Sequence, residues 1–139
     1  MKKVIFACVH NAGRSQMAAA FFNEYSDLSR AIAVSAGTQP ADRVHDCVLE
    51  AMKQSKIDLS TAKPQLLTEE LAGGADLLIT MGCGEACPYV PGLKREDWPF
   101  IDPKGKSIGE VCAIRDQIKA RVLNLLEELN AIRHCESNA

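Results

Sequence analysis

A thiol, a guanidinium and a short flexible loop sit together near the start of the chain, in Cys8-Val9-His10-Asn11-Ala12-Gly13-Arg14-Ser15. Arg14 carries a planar fork of donors that matches two oxygens of a tetrahedral oxyanion. If the loop runs into a helix, its backbone N–H groups and the helix dipole gather positive potential at one point. That field favours the thiolate of Cys8, the form of the side chain that attacks an electrophile. The chemistry implied is nucleophilic attack on a bound phosphate-like anion. The competing reading is a buried structural cysteine and an arginine spaced by chance.

The neighbouring residues support the loop in more than one way. Gly13 suits a positive φ or a close approach of backbone to ligand. Ser15 either hydrogen-bonds the Cys8 sulfur or caps the helix, and Asn11 either tolerates a left-handed turn or braces the loop through its side chain. With Ala12 and Arg14, these residues (Asn11, Ala12, Gly13, Arg14, Ser15) make up the expected oxyanion-binding set. His10 reads as a loop residue, because nothing in the sequence orients it as a base.

The elements that must hold this loop follow from pattern. Val4-Ile5-Phe6-Ala7 is a short apolar, β-favouring run and predicts a buried strand over about 3–7. Met17, Phe21, Ala18, Phe22 and Tyr25 recur at helical spacing, predicting a helix over about 14–28. Residues 31–35 predict a second strand, closed by Gly37-Thr38 and Pro40. Val44, Cys47, Val48, Ala51 and Met52 share one face of a second helix, with His45 at its start as a surface or capping residue. A connector over 58–64 precedes a short helix around Thr68–Leu71 and a buried strand over 75–81. Glu96–Ile101 predicts a short edge strand limited by Pro99. A long last helix places Ile108, Val111, Cys112, Arg115, Ile118, Val122, Leu125, Leu126 and Leu129 on one face, with Ile132 extending the stripe by one turn.

Such βαβ alternation predicts one α/β domain over 1–139, with a parallel sheet between helices and the ligand at the carboxyl ends of the strands. Three segments share that rim: the Cys8–Ser15 loop, Gly37-Thr38, and the irregular stretch Gly82–Pro103. The last stretch brings Cys83, Cys87 and Asp102-Pro103 toward Cys8. Cys83 and Cys87 read as further redox thiols, as inert residues, or as half of a zinc site for which no matching second pair exists. Asp102-Pro103 reads as a general acid or base, or as a turn. Cys47 and Cys112 fall on core stripes, and Cys135 lies in a polar tail.

Composition narrows the class. The chain has 139 residues, 47% hydrophobic and 24% charged, with a formal net charge of −2. That balance argues against a general nucleic-acid surface while allowing a local positive pocket. No apolar stretch is long enough for a membrane span, and Met1-Lys2-Lys3 with its short apolar run does not complete a signal sequence. The six cysteines do not form a stapling pattern, so a reducing cytoplasm is expected.

Taken together, the Cys8–Met17 segment, the Cys83 loop and Asp102-Pro103 resemble the arsenate reductases built on the low-molecular-weight protein tyrosine phosphatase fold. The resemblance runs over nearly the whole chain in the right order. It implies a four-stranded parallel sheet flanked by helices, Cys8 as nucleophile, Arg14 as oxyanion clamp, Asn11 and Ser15 as supports, and Asp102 as the acid that protonates the leaving oxygen. Cys83 and Cys87 are closer together than the resolving cysteines of the thioredoxin-coupled branch. Their segment looks more like branches that recruit mycothiol or glutathione with a glutaredoxin-type protein. Ala19 stands where potassium-binding members carry glutamate, so no metal site is implied.

The expected reaction is reduction of arsenate to arsenite, without a bound cofactor, through a Cys8–arsenate adduct. A second thiol resolves that adduct: an external small thiol or thioredoxin, or Cys83 and Cys87. The expected partners are arsenate and that thiol or redoxin, with neither nucleic acid nor membrane, and the expected state is a monomer. The alternatives are a phosphatase, in which water hydrolyses the analogous phosphate adduct, and a non-enzymatic oxyanion-binding or redox-sensing module. A phosphatase pocket would favour aromatic walls for a phosphotyrosine ring, whereas this chain is only 5% aromatic, though Tyr89 and Trp98 lie in the Gly82–Pro103 stretch.

Overall fold

The computed structural model describes residues 1–82 and 92–133. Along them run β1 (Lys2–Cys8), α1 (Arg14–Tyr25), β2 (Ala31–Gly37), α2 (Asp46–Gln54), α3 (Glu69–Gly73), β3 (Leu77–Thr80), β4 (Lys94–Asp97) and α4 (Ile108–Glu128). The four strands form one parallel sheet in the order β2-β1-β3-β4. Parallel pairing with helical crossovers buries both faces, which is why β1 and β3 are continuous apolar runs. β4, at the edge, is Lys-Arg-Glu-Asp and largely exposed, a composition that discourages pairing with another chain.

The twofold period of the strands divides the core. Val4, Phe6, Cys8, Leu77 and Ile79 face a large cluster shared with α1, α2 and α4. Ile5, Ala7, Ala36 and Leu78 face a smaller one with Leu67 and with Ala72 of α3. Phe6 anchors the larger cluster, with Phe22 and Trp98 ring centroids 6.0 and 5.6 Å away. Side chains of this size each contribute roughly 1.5–3 kcal/mol on burial. Register then sets the rim: Cys8 lies beside Gly37, Ala7 beside Thr80, and Thr80 beside Asp97.

Several expectations shift. α1 stops at Tyr25 because Ser26 turns extended and bridges antiparallel to Ile132. Ile132 accordingly does not extend α4, which ends at Glu128 with Asn130 in the left-handed region at φ 53°. On α4 the buried face uses Ile114 where Arg115 was expected, and Ile108 is exposed. Arg115 instead reaches across to the Ala51 carbonyl of α2 at 2.8 Å. A capping box of Ser107 and Glu110 opens α4. The edge strand lies at 94–97, ahead of Trp98-Pro99, because Trp98 turns into the core at 1% exposure. Trp98 is therefore no wall of a substrate pocket, and Tyr89 lies outside the described residues. Cys47 and Cys112 pack against the core half-buried rather than within it.

Candidate active site

β1 delivers Cys8 to the sheet rim, where its side chain is buried at 2% exposure. The chain then turns through residues 9–13 and enters α1 at Arg14. Gly13 occupies the N-cap and contributes no side-chain cap, so nothing local competes for the first-turn N–H groups. Gly13 is required for closeness rather than for a positive φ: a Cβ there would lie 2.8 Å from Pro103 Cγ.

The loop carbonyls are held from outside. Cys8, Val9 and His10 carbonyls accept from the N–H groups of Thr38, Gln39 and Ala41, and the Ala12 carbonyl accepts from His45 N–H at 3.0 Å. The Asn11 carbonyl accepts from Gln16 Nε2 at 3.1 Å. Among the described residues, no backbone N–H from His10 to Gln16 donates to an acceptor. A loop whose carbonyls are tied outward and whose donors are unspent at a helix start is an anion cradle.

Under this cradle the nucleophile is set by a chain of side chains. Asn11 adopts φ 50° and is fully buried. Its Oδ1 accepts from Gln65 N–H at 3.0 Å and from Gln16 Nε2 at 3.2 Å, which fixes the amide with Nδ2 outward. Asn11 Nδ2 donates to Ser15 Oγ at 2.7 Å, and Ser15 Oγ lies 2.8 Å from Cys8 Sγ. Because Ser15 must accept from Asn11, its own proton is available to the sulfur. Both expectations for Asn11 therefore hold at once, and Ser15 serves the sulfur rather than a cap.

Arg14 is nearly buried, donates through Nη1 to the Phe100 carbonyl at 3.1 Å, and places Nη2 3.7 Å from Asp102 Oδ2. Gly82, at φ 100°, lies directly beneath this guanidinium, and a Cβ there would overlap Nη1. Asp102 is both a turn and a pocket residue: its Oδ1 accepts from Lys104 N–H at 3.0 Å, and its side chain is 45% exposed. Asp102 borders the pocket above Cys8 together with Ala12, Gly13 and Arg14.

Two histidines complete the rim. His10 shares Nδ1 with the Gln39 carbonyl at 3.0 Å, and a carbonyl only accepts, so Nδ1 carries the proton. His45 holds the N-cap position of α2 without a side-chain cap and lines the pocket. Burial pushes the His45 pKa below its ordinary value, opposed by Asp102 and Asp46 and assisted by Lys104 and His10.

Cys8, Asn11, Ala12, Gly13, Arg14, Ser15 and Asp102 are thus brought together as the sequence predicts, while Cys83 and Cys87 lie outside the described residues. Sequence reasoning missed Gln16 and Gln65, which hold Asn11, and left His10 and His45 without a place at the pocket. Gln65 gave no signal, since its partner lies 54 positions away. Gln16 follows the motif directly and could have been read with it. No helix among the described residues is long and apolar enough to cross a membrane.

The family model for low molecular weight phosphotyrosine protein phosphatases matches residues 3–134. A Halobacterium salinarum protein provisionally named an arsenate reductase is 38% identical over 129 residues, covering 90% of this chain and 91% of that one. The glutaredoxin arsenate reductase of Synechocystis is 34% identical, covering 94% of this chain and 100% of that one. In structure, a thioredoxin-dependent arsenate reductase of Corynebacterium glutamicum superposes with a TM-score of 0.80 at 37% identity. That match covers 94% of this chain, and the chain spans 62% of the length of the Corynebacterium one.

Proposed function

The chain belongs to the low molecular weight phosphotyrosine protein phosphatase family, and from that membership we propose that it is a thiol-dependent arsenate reductase. The observation that carries the reading is the Cys8 sulfur held 2.8 Å from the Ser15 hydroxyl beneath a loop of unspent N–H donors. The names of the relatives support arsenate over phosphate monoesters as substrate.

Arsenate docks on the N–H groups of the Asn11–Ser15 loop and on the Arg14 fork. Cys8 thiolate attacks arsenic, and Asp102 gives a proton to the leaving oxygen, which departs as water. A second thiolate then attacks Cys8 Sγ. The S–As bond breaks with its electron pair on arsenic, reducing arsenic from the +5 to the +3 state, and arsenite leaves as a disulfide forms. The roles follow from position: the guanidinium binds, the carboxyl beside it moves the proton, and Ser15 steadies sulfur as thiolate.

The second thiol comes from an external reductant. Thioredoxin- and glutaredoxin-dependent relatives support a redoxin of this kind. The short Cys83–Cys87 spacing favours mycothiol or glutathione with a glutaredoxin-type protein over an internal relay through those two residues. The chain acts as a single domain and a monomer in the cytoplasm, where its thiols stay reduced.

Arsenite formation measured separately with thioredoxin, with glutathione and glutaredoxin, and with mycothiol and mycoredoxin tests this reading. Cys8→Ser should abolish turnover with every donor, because a hydroxyl neither attacks as a thiolate nor enters thiol exchange. Arg14→Lys should raise the arsenate KM, since a point charge cannot reproduce a bidentate fork. Stoichiometric arsenite and an internal disulfide after arsenate alone would instead assign resolution to Cys83 and Cys87. Hydrolysis of phosphate monoesters without any arsenite would replace the proposal with a phosphatase.

A further inference from the structure

The thiol chemistry leaves one group on the rim unused. His45 is half-buried, and its backbone is pinned to the loop by the 3.0 Å bond from its N–H to the Ala12 carbonyl. The imidazole is different: among the described residues neither ring nitrogen has a hydrogen-bond partner, although His45 lines the pocket over Cys8 and its ring feels Asp102, Lys104 and His10. A polar ring at the rim of an anion cradle, with both nitrogens unspent, has a donor to offer whatever enters.

The charges around it come from every element packed there. Asp102 and Lys104 face it from the β4–α4 connection, His10 from the loop after β1, and Asp46 from its own helix. Without an anion, burial dominates and keeps the ring neutral at a lowered pKa. An entering dianion places two negative charges beside the ring, outweighing Lys104 and His10, and so favours the imidazolium.

We propose that His45 is a proton-coupled oxyanion ligand: the pocket takes up a tetrahedral dianion together with one proton on the His45 imidazole, whose ring N–H then binds the anion alongside Arg14. This rests on the reading that the Asn11–Ser15 loop binds oxyanions. By linkage, whatever factor the proton adds to anion affinity, the anion adds to proton affinity. The site is thereby a selector for dianions, and its affinity for them weakens as pH rises through the His45 range. Asp102 remains the group that protonates the leaving oxygen, while His45 binds.

Inorganic sulfate is the probe, because it stays dianionic across the range in which imidazole titrates. The ring and amide resonances of the intact protein are followed by NMR from pH 5 to 8, with and without saturating sulfate. The expected result is a His45 midpoint below 6.5 alone, moving upward by about one unit with sulfate, which corresponds to tenfold tighter sulfate binding by the protonated form. His45→Gln should remove that tenfold pH dependence of the sulfate Kd. Loop amides that respond to sulfate while the His45 midpoint stays put would overturn the inference alone, as would an undiminished pH dependence in His45→Gln. Loop amides that never respond would overturn the oxyanion reading and this inference with it. The wild-type titration decides the matter even where the variant does not fold.

Discussion

The Ser15 hydroxyl lies 2.8 Å from the Cys8 sulfur and is itself bonded at 2.7 Å by the Asn11 amide. Asn11 is in turn oriented by the Gln65 N–H and by Gln16. Each donor in this series points toward the sulfur, so the polarisation adds along the chain and ends on the atom that must carry negative charge. The sulfur is held by a network reaching to the β2–α3 side of the fold, not by the loop alone.

Ser15→Ala should therefore weaken the nucleophile without removing it. A hydrogen bond to a charged group contributes about 1.5–3 kcal/mol, or roughly tenfold to a hundred-and-fiftyfold. The check is the rate of Cys8 alkylation by iodoacetamide at neutral pH, which is expected to fall in the variant. An unchanged rate would remove Ser15 from the activation of the nucleophile.

Gly82→Ala should displace the clamp. Its φ of 100° strains any side chain, and the added Cβ would occupy the space of the Arg14 guanidinium. Misplacement of a binding group by this much costs up to about a hundredfold in kcat/KM. The expected outcome is a raised arsenate KM together with a lowered Tm. A variant that loses Tm but keeps its KM would show that Arg14 has room to move aside.

The loop was legible because all its working parts, Cys8 through Ser15, sit in one continuous segment between an apolar run and a helical stripe. The long-range contributors were not. Gln65 reaches Asn11 from a connector with no periodicity of its own. Trp98 follows four charged residues and sits in a stretch rich in Gly and Pro, yet it fills the core beside Phe6. On α4, Arg115 passes for a core position by spacing, since a helical period cannot tell a long side chain reaching Ala51 from one that packs. The Ile132 stripe fails for a similar reason: periodicity continues past the point where Asn130 reverses the chain.

Asp102→Asn should slow formation of the Cys8 adduct by roughly 10²–10⁴-fold, the range of a lost general acid. Arsenate affinity should change far less, because Arg14 keeps its bond to the Phe100 carbonyl. Rapid-mixing single turnovers separate the two effects. If the single-turnover rate holds steady, Asp102 is only the turn that its bond to Lys104 N–H makes it.

Stability should fall as pH drops below 6.5 in anion-free buffer, and His45 should account for part of that fall. Its folded pKa lies below the unfolded value of 6.5, chiefly through burial, with Asp102 the main opposing charge. Between those two values the unfolded chain binds more protons than the folded one, so each step down in pH favours unfolding. The contribution is complete above 6.5 and is lost as pH falls through the folded value. Asp58 and Glu110, held below their ordinary values by bonds from Ser60 and Ser107, act in the same direction only in the more acidic range below 4.5. Urea unfolding of wild type and His45→Gln at pH 7.5, 6.5 and 5.5 isolates the term: the two curves should diverge in slope below 6.5, with the variant losing less. Parallel curves would mean that the imidazole is as free to charge in the fold as in the unfolded chain.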